Sequence, residues 1–378
     1  DVWVRHGYLI TFEGLLSAVG KELGMIEDAS IAIAMLRMVN VVLVSDDTTN
    51  SKNPNDAKQR IPVPHSPYIR YVNLTHITPY GSHSKTQYRL EIGLDQSYYQ
   101  SRVPEPLKNG VPVRFFPILF QMGVDIRQWG VNAGRNTISQ IKDAKISDNA
   151  TDENELNSGS LLDDGDEDDE GAIPDNEILM ALNVEGFRKL NAYAHSFNPT
   201  TTAGVSTASA PVPAFDLLEQ PSQVSPLPLH PYLGSLSDAV KASAGKMEHS
   251  VLDRAASATQ RFGGGSTVFC KSGKDRTAMQ VTFKQAQFVQ RLLNKDVWQS
   301  LLNKEVGPGS ATALEDTPIS YDDVFSKSTL MRKHGNRIPI CEKNAGEPKF
   351  AFNPLQRKFM PEMLRPEASL CTWSKPET

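Results

Sequence analysis

Cysteine is scarce in this sequence: the chain has three cysteines among 378 residues, at no regular spacing. This scarcity argues against a disulfide framework and a zinc site, and it favours a reducing compartment. Long hydrophobic runs are also lacking, because the longest apolar stretch, residues 31–44, is interrupted by Arg37 and Asn40 and is too short to span a bilayer. A hydrophobic content of 39% still provides a core for one large domain or two. The chain begins at Asp1 rather than Met and shows no signal-peptide pattern, so we expect it to be part of a longer protein.

Basic residues are missing from one long segment. Residues 147–177 contain 13 Asp or Glu and no Lys or Arg, so the net charge of −5 leaves about +8 on the rest of the chain, a balance that suits anionic partners. Such a segment buries too little apolar surface to fold, and we interpret it as a disordered insertion rather than an autoinhibitory mimic of phosphate. Residues 198–231 are rich in Ser, Thr and Pro, which indicates a linker.

Hydrophobic periodicity outside these segments predicts helices and strands. Helices are predicted at residues 12–24, 28–40, 178–194 and 237–258, the last of them capped by Ser237, and strands at residues 88–94 and 111–116. This mixture indicates an α/β fold with a helix-rich N-terminal part.

The segment Cys270–Thr277, C-K-S-G-K-D-R-T, gathers a thiol, two lysines, an aspartate and an arginine in one tight loop. A β-branched segment precedes the loop and an amphipathic pattern follows it, which predicts a strand before it and a helix after it. Loop amides and a helix N-terminus in this order form an anion-binding site, and their field stabilises the nucleophilic thiolate of Cys270. Arg276, six positions on, has the shape to hold two phosphate oxygens. The loop therefore predicts a cysteine-dependent phosphatase site.

The spacing between the cysteine and the arginine carries little weight alone, since it arises by chance in roughly 0.3 of chains of this composition. Cys341 and Cys371 lack a basic residue at the sixth position and are expected to be ordinary thiols. The central glycine, the strand and the helix are independent requirements, and the sequence pattern meets all of them. We therefore interpret Cys270 as catalytic rather than as a buried structural cysteine.

Residues 270–279, C-K-S-G-K-D-R-T-A-M, resemble the signature of the inositol polyphosphate 4-phosphatases and of related bacterial effector phosphoinositide phosphatases. The general tyrosine-phosphatase loop has His before the cysteine and neutral residues inside, whereas here Phe269 precedes it and two lysines lie inside. Blocks at residues 14–44, 117–125 and 350–353 are also similar to that family. The resemblance implies a cysteine-phosphatase-like core (strand, phosphate loop, helix). It also implies removal of a phosphate, at the 4-position, from phosphatidylinositol 3,4-bisphosphate or soluble inositol polyphosphates.

Each loop residue has an expected role in this chemistry. Cys270 forms a cysteinyl-phosphate, and Arg276 with the loop amides stabilises the equatorial oxygens. No W-P-D triplet occurs in the sequence, so Asp275 is the candidate general acid and then base, as in related lipid phosphatases. The alternative is that Asp275 pairs with Arg276 or a lysine and only positions the loop. The expected substrate-binding residues are Lys271, Ser272, Gly273, Lys274 and Thr277.

Three of these substrate-binding residues have alternative roles. Lys271 and Lys274 favour an inositol ring with a second phosphate over phosphotyrosine, because a second phosphate needs further cations; otherwise both lysines face solvent. Thr277 either hydrogen-bonds the thiolate or caps the helix.

These expectations divide the chain into five parts. They are a helix-rich N-terminal part of the catalytic region (1–146), an acidic disordered insertion (147–177), a helix (178–197), a Ser/Thr/Pro-rich linker (198–231), and a phosphatase core (232–378) with its loop at 270–276. The expected partner is a phosphoinositide in a membrane surface, contacted peripherally by a cytoplasmic protein at the plasma or endosomal membranes. No cofactor, metal or nucleic acid is expected.

Two other function classes remain open. One is a dual-specificity protein phosphatase that uses the same Cys270 and Arg276. The other is a non-catalytic phosphoinositide-binding scaffold, against which the intact cysteine, aspartate and arginine count.

Overall fold

The computed structural model describes residues 2–18, 20–46, 60–77, 87–122, 176–197, 215, 227–243, 248, 250–293, 320–352 and 354–372. The chain divides into two compact units, the first made of Asp1–Thr11, Ser30–Ile118 and Arg188–Pro231, and the second of Phe12–Ala29, Leu119–Phe187 and Tyr232–Thr378. The predicted acidic insertion lies outside the described residues apart from its last two positions, and most of the predicted linker lies outside them as well.

The α-helices and strands in chain order are α1 (Val2–His6), β1 (Tyr8–Gly14), α2 (Gly20–Met35), β2 (Val39–Ser45), β3 (Ile61–Pro62), β4 (Ile69–Ile77), β5 (Gln87–Leu94), α3 (Gln96–Arg102), β6 (Val113–Gln121), α4 (Asn176–Phe197), α5 (Gly234–Ala242), α6 (Ser250–Arg261), β7 (Gly265–Phe269), α7 (Arg276–Leu293), α8 (Tyr321–His334), α9 (Arg337–Ala345) and α10 (Pro354–Phe359). Among the described residues, no helix combines the length and the apolar content that crossing a membrane requires.

The first unit is built on a mixed sheet. Its hydrogen-bonded strands follow the order β3-β4-β5-β2-β6-β1. Strands β2 and β5 run parallel, whereas β4 pairs with β5, and β6 with β2, in antiparallel fashion. The predicted α/β class is therefore confirmed. The strand predicted at residues 88–94 is confirmed as β5, whereas the one predicted at residues 111–116 begins at Val113 and continues to Gln121 as β6.

The helix-rich N-terminal part was a wrong prediction. In the described residues of 1–146, six strands accompany three α-helices. The helix predicted at residues 12–24 starts only at Gly20, because Phe12–Gly14 complete strand β1. Strand β1 alternates buried and half-buried side chains, a period of two that its aromatic and β-branched residues favour. The helix predicted at residues 28–40 ends at Met35, and a short 3₁₀ turn and β2 follow.

The second unit contains the strand, loop and helix predicted around residue 270. Strand β7 lies next to β1, whose residues Phe12–Gly14 belong to this unit, and β7 leads through the loop into α7. The buried face of α7 packs into a cluster of apolar side chains from α8, α9 and the C-terminal segment. The members of that cluster are Ala278, Met279, Phe283, Ala286, Val324, Cys341, Phe350, Phe352, Met360, Leu364 and Cys371. This packing fixes the helix whose first residue is Arg276.

The helix predicted at residues 237–258 is two helices, α5 and α6. Helix α5 ends at Ala242, and the next residue, Ser243, caps it: the Ser243 backbone N–H and hydroxyl both donate to the Val240 carbonyl oxygen. Ser237 is buried inside α5 rather than capping it. The helix predicted at residues 178–194 is confirmed as α4, which begins two residues earlier, at Asn176, and ends three residues later, at Phe197.

Candidate active site

The loop of residues 270–275 connects the end of β7 to the first turn of α7. The Leu15 amide donates to the Phe269 carbonyl oxygen at 2.9 Å, which fixes the chain immediately before Cys270. Gly273 has a φ of 71°, in the left-handed region. A Cβ at this position would meet no atom within 4 Å, so the backbone conformation rather than the available space calls for glycine.

The sulfur of Cys270 accepts two hydrogen bonds inside the loop. The Gly273 amide donates to Sγ at 3.2 Å and the Thr277 hydroxyl at 3.1 Å. Hydrogen bonds to an anionic acceptor are shorter and stronger than those to a neutral one, so both donors are placed to bind negative charge that develops on the sulfur. Thr277 is the second residue of α7 and therefore does not occupy its N-cap. Cys270 itself is partly exposed.

The guanidinium of Arg276 is held by a carboxylate that the sequence did not reveal. Its Nη1 and Nη2 donate to the two carboxylate oxygens of Glu22 at 2.7 and 2.6 Å, and Nη1 also donates to the Leu15 carbonyl oxygen at 2.8 Å. The Ser17 amide fixes Glu22 in turn, donating to its Oε2 at 2.7 Å. The Nε–H and the second Nη2 hydrogen donate to no other described residue, so one edge of the guanidinium is available for a bidentate contact with phosphate.

Electrostatics strengthen this pair. Burial alone would raise the pKa of the Glu22 carboxyl, but the hydrogen bond and charge of Arg276 hold it below its usual range. Burial would lower the pKa of Arg276, and Glu22 reverses that effect and raises it. Glu22 stands 254 positions before Arg276, and no local pattern marks it, so only the fold could identify it.

Both carboxylate oxygens of Asp275 are engaged. Lys274 Nζ donates to Oδ2 at 2.5 Å, and the Ala351 amide donates to Oδ1 at 2.9 Å. These contacts tie the loop to the buried C-terminal segment around Phe350. Both contacts are those of a residue that holds the loop in position. The role of Asp275 as general acid stays a proposal. Lys271 and Ser272, by contrast, are exposed.

A cavity of about 900 Å³ lies beside the loop. It is lined by Gln260, Ser266, Thr267, Val268, Phe269, Cys270, Gly273, Thr277, Val281, Thr282, Lys284, Gln285, Phe288, Val289, Met331, Gly335, Asn336 and Arg337. This lining includes Cys270 but neither Lys271 nor Lys274. Its volume is within the range of small-molecule sites.

The other two cysteines differ from the expectation that they are ordinary thiols. Cys341 and Cys371 are both buried in the apolar cluster against α7. Burial raises the pKa of each to about 11. Both thiols are therefore protonated at neutral pH and packed as small apolar side chains.

The fold and the site together define a mixed α/β protein with a cysteine on the loop between a strand and a helix and an arginine at the first position of that helix. No family model matches the chain. It is 21% identical over 373 residues both to the type II inositol 3,4-bisphosphate 4-phosphatase of Rattus norvegicus and to the inositol polyphosphate 4-phosphatase type II of Homo sapiens. Each alignment covers 98% of this chain and 29% of the relative, so the chain spans less than a third of the length of the curated relatives it matches.

This similarity along nearly the whole chain confirms the resemblance to the inositol polyphosphate 4-phosphatase family that the loop and the flanking blocks indicated. The relation to the bacterial effector phosphatases stays a prediction.

Proposed function

We propose that this chain is the catalytic region of a phosphoinositide phosphatase that removes the 4-phosphate from phosphatidylinositol 3,4-bisphosphate or from soluble inositol polyphosphates. The observation that carries the proposal is the Cys270 sulfur, which accepts from Gly273 and Thr277 on the loop that also presents Arg276. The relatives that the chain matches are inositol 3,4-bisphosphate 4-phosphatases, which supports this substrate class. A phosphoinositide substrate lies in a membrane surface, so we also propose peripheral contact with plasma or endosomal membranes from the cytoplasm.

The proposed reaction has two displacements at phosphorus. In the first, the Cys270 thiolate forms a sulfur–phosphorus bond while the bond from phosphorus to the inositol oxygen breaks, and that oxygen leaves with a proton. In the second, water attacks phosphorus, the sulfur–phosphorus bond breaks, and inorganic phosphate leaves. The loop amides and the free edge of Arg276 stabilise the equatorial oxygens in both steps, and Glu22 keeps the guanidinium aligned for them.

Asp275 is the proposed source of the proton for the leaving oxygen, and it then activates the water. In the free enzyme its Oδ2 accepts from Lys274. A bound phosphate attracts the Lys274 ammonium more strongly than one carboxylate does, because it carries more charge. The exchange of Lys274 from Asp275 to phosphate would release the carboxyl group for proton transfer.

The remaining loop residues are proposed to bind the substrate. The Ser272 amide binds the phosphate that is transferred, the Gly273 amide keeps its hydrogen bond to the Cys270 sulfur, and Thr277 stabilises the leaving thiolate in the second step. Lys271 is exposed at the rim of the loop, where it can meet a phosphate that is not transferred.

A phosphate-release panel tests this function. The wild-type chain and its Cys270→Ser variant are assayed on singly, doubly and triply phosphorylated inositol lipids, on soluble inositol phosphates and on phosphopeptides. We expect release from the bisphosphorylated inositol compounds by the wild type and none by the variant. Preference for phosphopeptides would identify a protein phosphatase, and binding of inositol phosphates without release would identify a scaffold; either result contradicts the proposal.

A further inference from the structure

The cavity beside Cys270 has a strongly one-sided charge. None of its lining residues is an aspartate or a glutamate, and two are cations, Lys284 and Arg337. Lys284 pairs with Glu13, a fully buried carboxyl group on β1. Arg337, in contrast, makes no hydrogen bond or ion pair with another described residue. An uncompensated guanidinium in a cavity without carboxylates attracts an anion.

The position of Arg337 is fixed by the turn between α8 and α9. The Gly335 amide donates to the Met331 carbonyl oxygen at 2.9 Å, and a Cβ at Gly335 would lie 2.3 Å from that oxygen, so the close approach requires glycine. Helix α9 then begins at Arg337 and buries Cys341 completely in the cluster against α7. Arg337 is therefore held on rigid elements rather than on a long loop, as a specific contact requires.

The two lysines inside the loop, unlike Arg337, do not face the cavity as free cations. Neither Lys271 nor Lys274 lines the cavity, and the Lys274 ammonium is paired with Asp275. Among the described residues, Arg337 is therefore the cation of the cavity that has no anionic partner. The planar guanidinium of Arg337 can also donate two parallel hydrogen bonds to two phosphate oxygens, which a lysine ammonium cannot do.

We propose that Arg337 binds a phosphate of the inositol ring that is not cleaved, and that it makes the enzyme prefer rings with two or more phosphates. This inference rests on the proposed function, because it takes the transferred phosphate to lie in the loop at Cys270. It adds a specificity-determining residue from α9 to the loop residues.

The kinetic test compares inositol 3,4-bisphosphate with inositol 4-monophosphate. Arg337→Gln should lower kcat/KM for the bisphosphate about 10- to 100-fold, the effect of losing one charge-assisted contact, and lower it for the monophosphate less than about 3-fold. Arg337→Lys should recover part of the loss, since lysine restores the positive charge but not the two parallel N–H donors of a guanidinium. Lys343→Gln, an exposed position on the same helix that does not line the cavity, is the matched control and should change neither value. Equal losses on both substrates, or no loss at all, would overturn the role of Arg337.

A binding measurement separates this inference from the proposed function. In the Cys270→Ser background, titration calorimetry should show tighter binding of the bisphosphate than of the monophosphate, and Arg337→Gln should remove that difference. If the wild type releases no phosphate but the difference in binding depends on Arg337, the inference stands and the phosphatase function fails. If release is normal but the difference does not depend on Arg337, the inference fails and the phosphatase function stands. Thermal melts of all variants verify that they fold.

Discussion

At the scale of single residues, Arg276 depends on a partner far away in the sequence. Glu22 occupies one edge of its guanidinium and leaves the other edge for phosphate. The carboxylate thus acts through the arginine, as a positioning residue, and does not itself touch the reacting atoms.

Replacing Glu22 with Gln should lower kcat by about 10- to 100-fold and stability by about 1–3 kcal/mol, because Arg276 loses its charged partner. The pKa of Glu22 is lowered in the folded protein, so its contribution to stability is present above its ordinary pKa and is lost as pH falls through the lowered value. Denaturant melts from pH 7 down to 3 should therefore show the gap between wild type and variant closing. Asp28→Asn, an exposed change on the same helix, is the control. A gap that does not narrow as the pH falls would contradict the ion-pair account.

A substitution of Asp275 by Asn distinguishes the two roles of this residue. If Asp275 donates the proton, turnover of an inositol phosphate should fall about 100- to 10,000-fold, since the alkoxide is a poor leaving group. Turnover of p-nitrophenyl phosphate, whose leaving group needs no proton, should fall much less. Similar losses on both substrates would leave Asp275 with the positioning role that its contacts to Lys274 and Ala351 describe.

At the scale of elements, the strand, loop and helix around Cys270 could be predicted because every signal for them is local. The β-branched residues of β7, the glycine in the loop and the apolar spacing of α7 all lie within about 30 residues. Glu22 and the Leu15 carbonyl, which hold Arg276, could not be predicted, since they are more than 250 positions away and carry no pattern. The region of residues 12–24 was mispredicted because its apolar residues suit a helix and a strand equally well. Pairing of β1 with neighbouring strands decides the outcome, and this pairing cannot be read from the local sequence.

The Gly273→Ala substitution tests whether the loop between β7 and α7 needs the left-handed backbone conformation of Gly273. Gly273→Ala should cost about 1–2 kcal/mol, because alanine is strained at a φ of 71° although a Cβ meets no neighbouring atom. If the loop relaxes, the Gly273 amide moves away from the Cys270 sulfur and kcat/KM should fall about 10-fold. Gly234→Ala, where a Cβ also meets no atom within 4 Å and φ is not positive, is the matched control. Unchanged activity and melting temperature in Gly273→Ala would show that the left-handed conformation is not needed.

At the scale of the whole molecule, the candidate site lies within one of the two compact units, formed by Phe12–Ala29, Leu119–Phe187 and Tyr232–Thr378. Three separate stretches of chain therefore build the unit that carries the site. The acidic residues 147–177 follow β6 in the chain and end at the first two residues of α4, and they lie outside the described residues up to position 175.

Deleting residues 147–175 should leave folding and turnover within about 3-fold of the parent, because a segment with this charge and so few apolar residues adds little to a core. The deletion stops before Asn176, the first residue of α4. Circular dichroism melts and phosphate release provide the measurement. Loss of soluble protein would show that the segment packs, and a large gain in activity would identify it as an autoinhibitor.

The central claim is that Cys270 carries the phosphate between the two displacements. Rapid acid quenching of the wild-type chain during turnover of inositol 3,4-bisphosphate, followed by digestion and mass spectrometry, tests it directly. We predict a phosphorylated peptide whose modified residue is Cys270, absent from the Cys270→Ser variant, which should also release no phosphate. Normal phosphate release by that variant, or wild-type turnover in which no phosphate is found on Cys270 at any quench time, would contradict the covalent mechanism.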